Sequence, residues 1–124
     1  MTMLRDAVAR DMSEADLMAN VIARATQAGW RVMHINDGLY KLAAKEGRQD
    51  AMAGARGFPD LVLAREGVVI FAELKATRGK LAADQSDWLY ALRAQRHDAS
   101  HHVAVWRPAH LFDGTIDDAL GGAS

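Results

Sequence analysis

Residues 59–75 read PDLVLAREGVVIFAELK. Two apolar runs rich in β-branched residues, 59–64 and 68–74, flank the short break Arg65-Glu66-Gly67. That pattern predicts a β-hairpin. With Glu66-Gly67 as the two turn residues, glycine suits the second position of a type I′ turn, although glutamate is not a favoured first residue. Arg65 then faces Val68, and the same pairing carried down the ladder sets Asp60 opposite Glu73. Directly opposed side chains share a face, with Cβ atoms roughly 4.5–5.5 Å apart. Lys75, two residues beyond Glu73, points to the same side. A four-residue loop keeps this register, whereas a three-residue loop would send Glu73 to the other face.

Working outward, SEADLMANVIARATQAGW (13–30) predicts a helix. Ser13 is the expected N-cap, with Asp16 in capping-box position. Leu17, Val21 and Ala25, with Met18 and Ile22, form its apolar face, and Gly29 is the expected stop. WRVMHI (30–35) alternates like a strand. Residues 36–57 are irregular, glycine-rich and charged, a length of loop that is usually functional or mobile, although LYKLAAKEG could form a short helix. Beyond the hairpin, ATRGKLAA is a loop, 84–96 a helix with Asp84 as N-cap, and 101–107 a strand ended by Pro108. A short helix is expected near TIDDAL, with an N-terminal extension over 1–12 and a loose tail over 121–124. Strands apolar on both faces call for helices on both sides of the sheet. The expectation is one α/β domain over 1–124 with a mixed central sheet flanked by helices.

The 124 residues contain no cysteine, which excludes disulfides and thiolate metal sites and suggests a reducing, cytoplasmic setting. Neither a signal peptide nor a membrane span is visible. The formal net charge is −1, so nucleic-acid binding would have to rest on local clusters. Five histidines occur, but none with a zinc-ligand spacing on a helix.

Two opposed carboxylates repel unless a positive charge lies between them. A hard divalent cation such as Mg²⁺ takes oxygen ligands and retains several waters. It can hold a phosphate oxygen and lower the pKa of water. Lys75 beside it would steady developing negative charge or position the attacking water. Asp60 and Glu73 are therefore candidate metal ligands, and the Leu74 backbone carbonyl between Glu73 and Lys75 is another.

GFPD, twelve residues, then ELK resembles the PD-(D/E)XK nuclease signature, with Asp60, Glu73 and Lys75 as its charged members. SEADLMANVIARATQAGW, GFPDLVLAREGVVIFAELKATRGKLAADQSDWLYALR and HVAVWRP together resemble the virus-type replication-repair nuclease (VRR-NUC) group. The resemblance covers about half the chain. It implies a restriction-endonuclease-like fold and Mg²⁺-dependent cutting of DNA, with Mn²⁺ able to substitute and no organic cofactor. Stand-alone members of the group are associated with homodimers acting on branched DNA such as four-way (Holliday) junctions. The resemblance also implies two further site residues. Glu14, expected to face the core side of its helix, would be a metal ligand, direct or through water. Gln85, opening the helix after ELK, would orient water or Lys75. Where relatives often carry a glutamine four residues after the helix glutamate, this chain has Met18.

Arg78 and Lys80 leave directly from the site and are expected to grip phosphates. Lys41, Lys45, Arg48 and Arg56 would add a basic rim, with Glu46 and Asp50 as local counter-charges, and Tyr40 is the aromatic best placed to meet a base. The competing readings are a flap, nicking or end-processing nuclease within a phage replication or packaging complex, and a DNA-binding module with an idle site.

Overall fold

In the computed structural model, residues 2–35, 45–47, 56–93 and 100–121 are described. The strands are β1 (Arg31–His34), β2 (Leu61–Arg65), β3 (Val68–Leu74) and β4 (His101–Trp106). The helices are α1 (Thr2–Asp11), α2 (Glu14–Gln27), α3 (Ala83–Arg93), α4 (Ala109–Phe112) and α5 (Thr115–Leu120). The sheet runs β1-β2-β3-β4, antiparallel except for the parallel β3–β4 pair, between which α3 lies in the chain.

Local chemistry sets the boundaries of these elements. Ser13 Oγ accepts from the Asp16 N–H at 3.0 Å and caps α2. The helix ends in a Schellman pair: Trp30 N–H donates to Ala25 O at 2.9 Å and Gly29 N–H to Thr26 O at 3.1 Å. The hairpin turn has φ of 51° at Glu66 and 83° at Gly67. Both central residues are left-handed, as a type I′ turn requires. The ladder pairs Arg65 with Val68 and Leu61 with Ala72, which is the register expected from the sequence.

Alternation then divides the hairpin between two layers. Leu61, Leu63, Ile70, Ala72 and Leu74 are buried on one face with Leu17, Val21, Ala25, Trp30 and Trp106. Burying each such aliphatic side chain contributes about 1.5–3 kcal/mol. Ile116 and Leu120 of α5 close this core, and Trp30 Nε1 donates to Leu120 O at 3.0 Å. Arg24 adds an ion pair to Asp117, with Nη1 2.9 Å from each carboxylate oxygen. Phe71, Glu73 and the positions paired with them face the other layer, where Phe58 stacks edge-on against Phe71 and Trp88 of α3.

The expected N-terminal extension over 1–12 contains the helix α1, which is not among the elements expected from the sequence. Its Ala9 is buried, whereas Met3, Leu4 and Val8 are exposed, so no sustained apolar face marks it in the sequence. The four-residue α4 is a further element without a sequence signal of its own. The second long helix begins at Ala83 rather than having Asp84 as its cap. Among the described residues no helix is long and apolar enough to cross a membrane.

Candidate active site

The site lies where β2 begins and β3 ends. The last β2–β3 pair is Leu61 with Ala72, so the next step outward sets Asp60 against Glu73. Asp60 Oδ2 accepts from the Leu74 N–H at 2.9 Å, extending the ladder by a side chain where the backbone pairing stops. Asp60 is held from behind as well. Pro59 is buried, Phe58 is wedged between Phe71 and Trp88, and Gly57 has a φ of 84°. A Cβ on Gly57 would stand 2.6 Å from the backbone carbon of Asp84. Only glycine lets the Asp60 loop pack this closely on the first turn of α3.

Glu73 is 1% exposed and Lys75 9%. Lys75 Nζ lies 3.7 Å from Glu73 Oε2. The same oxygen accepts from Gln85 Nε2 at 2.8 Å. Gln85 Oε1 accepts in turn from the Ala82 N–H at 2.8 Å. This is one half of a capping box, with Ala82 rather than Asp84 in the cap position. The two bonds fix the Gln85 amide, and through its Nε2 it orients the Glu73 carboxyl.

Glu73 Oε1 is buried with no donor among the described residues. A proton of its own, a water or a cation must satisfy it. Burial, and after it the nearby Asp60 carboxylate, push the Glu73 carboxyl up to about 8, with Lys75 pulling against both. Lys75 therefore does not offset the cost of this buried acid.

Two adjacent carboxyl groups and an orphaned buried oxygen make a donor set that a hard cation accepts, with water completing its shell. They suit a divalent cation, but as a pair. Among the described residues no group of three or more His, Asp or Glu could hold a metal ion. Glu14, expected to face the core, is exposed at the first position of α2. The buried stripe of that helix begins nearly one turn later, at Leu17.

Asp60, Glu73, Lys75 and Gln85 thus come together, and Glu14 does not join them as a third carboxylate. Lys45, Arg56, Arg78 and Lys80 are exposed. Tyr40, Lys41 and Arg48 lie outside the described residues. His34 ends β1 and is exposed. Arg107, which has no place among the sequence-based candidates, donates to three carbonyls of the turn after Lys75. Its partners are backbone atoms about thirty residues away, so no sequence pattern announces them.

No family model matches the sequence, and no curated protein or solved structure matches the chain.

Proposed function

We propose that the chain is a metal-dependent nuclease that hydrolyses phosphodiester bonds in DNA, built on a restriction-endonuclease-like version of the mixed α/β fold. The observation that supports this best is the buried Glu73 carboxyl. It has one oxygen orphaned and the other bound by Gln85, with Asp60 and Lys75 beside it. A stretch of sheet with no chemical task would not retain so costly an arrangement.

Asp60 and Glu73 would hold Mg²⁺ or Mn²⁺, with the Leu74 carbonyl as a further ligand. When bound, the cation supplies charge neutralisation at a phosphate oxygen and a more acidic water. The chain's own residues do the rest. Gln85 fixes the Glu73 carboxylate so that its free oxygen faces the site. Asp60 is locked by its bond to the Leu74 N–H. The Lys75 ammonium is mostly withdrawn from water, where its field acts on the extra negative charge of the phosphoryl transition state. Arg78 and Lys80 would contact flanking phosphates. No recognition helix is evident among the described residues, so selectivity would come from the shape of branched DNA, and a homodimer would present two sites to two strands.

The test is cleavage of four-way, flap, nicked and linear DNA by the purified chain with Mg²⁺. Cutting is expected to disappear with EDTA and in Glu73→Gln, and to fall by roughly a hundredfold or more in Lys75→Ala, the loss of one transition-state donor. Paired symmetric cuts confined to the four-way substrate would establish junction resolution. Cutting by Glu73→Gln at the wild-type rate would refute the mechanism.

A further inference from the structure

The turn that follows Lys75 is held by a side chain the proposed chemistry does not use. Leu74 and Trp106 are the last pair of the parallel β3–β4 ladder, and the Lys75 N–H donates to Trp106 O at 3.0 Å. The next step in register therefore sets Lys75 beside Arg107. Two cations side by side on a sheet repel. Here the guanidinium is taken up by backbone: Arg107 Nη1 donates to Ala76 O at 2.8 Å, to Gly79 O at 2.7 Å and to Thr77 O at 3.3 Å.

The turn is closed by the Gly79 N–H to Ala76 O at 2.9 Å, and it lies on the Lys75 stem. A Cβ on Gly79 would stand 3.4 Å from Lys75 Cδ. Arg107 is fixed at its own base, because its backbone N–H donates to His110 Nδ1 at 2.9 Å. A second tether, Thr77 Oγ1 to Ala9 O at 2.8 Å, ties the turn to α1.

We infer that Arg107 is a positioning residue for Lys75. By gathering the three carbonyls it presses the 76–79 turn onto the lysine methylenes and holds the ammonium beside Glu73. The kinetic consequence rests on the nuclease reading; the placement of Lys75 does not. Arg107→Met keeps an apolar stem and removes every donor. Arg107→Gln offers a shorter, neutral amide that cannot span the three carbonyls.

In isotopically labelled protein, the wild type is expected to show a nuclear Overhauser effect between Gly79 Hα and the Lys75 side-chain methylenes. Arg107→Met should lose it while the amide spectrum of the sheet stays folded. On the DNA that the wild type cuts, its kcat should fall on the order of ten- to a hundredfold, the usual cost of an ångström-scale misplacement, with KM nearly unchanged. If Arg107→Met does not fold, Arg107→Gln takes its place, with the same losses expected. Persistence of the Overhauser effect in the folded variant would overturn the inference. Its loss with kcat unaltered would overturn the kinetic consequence and leave the placement standing. A wild type that cuts no DNA would refute the nuclease reading alone, and the Overhauser comparison would still decide whether Arg107 places Lys75.

Discussion

At the scale of the residue, Glu73 carries the sharpest consequence. Its carboxyl titrates near 8 in the folded protein against 4.5 for the ordinary group. The folded state thus holds a proton that the unfolded chain has already released. The sign follows: the stability tied to this proton is fully present below pH 4.5 and is lost as pH rises through about 8. Within that window the slope reaches at most about 1.4 kcal/mol per pH unit for one proton. Urea unfolding in EDTA should show the midpoint falling from about pH 5 to about pH 8, and Glu73→Gln should flatten this part of the profile. If Glu73 holds the proposed cation, Mg²⁺ added near the upper end of that range should recover stability in the wild type and not in the variant, because the cation would take the proton's place. A wild-type profile already flat across that range would mean that Glu73 is not the buried acid described here.

Among elements, the decisive contact is between the Asp60 loop and α3. Gly57 supplies both a left-handed φ and the absence of a side chain where the Asp84 backbone would lie 2.6 Å away. Gly57→Ala therefore incurs backbone strain and overpacking together, about 2–6 kcal/mol in sum. Thermal denaturation should show this loss, with Asp60 displaced from Leu74 as its local sign. A variant as stable as the wild type would mean that the loop has room to shift. The hairpin is legible in the sequence because its information is local: alternation, a two-residue turn and a fixed register determine where Asp60, Glu73 and Lys75 point. For a similar reason α2 is legible, through Ser13 and the Leu17, Val21, Ala25 stripe. By contrast α1 is not, since its Met3, Leu4 and Val8 point outward and its anchor is Thr77, far along the chain. Helical spacing also misleads at Glu14, which is exposed in the first turn of α2, before the stripe meets the sheet. Arg107 stays hidden because its role depends on which carbonyls the fold delivers.

For the whole molecule, charge decides how DNA would be held. A net charge of −1 gives no long-range attraction to a polyanion, so on the proposed nuclease reading affinity would come from cations near the site. Arg107 is absorbed by the turn carbonyls, and Lys75 is buried beside Glu73. Neither is placed to release counterions. Arg78 and Lys80 are exposed on the turn and just beyond it, and Arg107 and the Ala9 carbonyl hold that turn from two sides. Two cations presented by a braced turn lose less freedom on binding than two on a free loop. Each phosphate they neutralise on duplex contributes about −0.9 to the slope of log K against log salt. Fluorescence anisotropy in EDTA, where binding is measured without cutting, should therefore give a slope about 1.8 shallower for the Arg78→Ala, Lys80→Ala double variant than for the wild type. The affinity loss should be greatest at low salt and should nearly vanish at high salt, since only the counterion term has changed. An unchanged slope would move the phosphate-binding surface away from this turn.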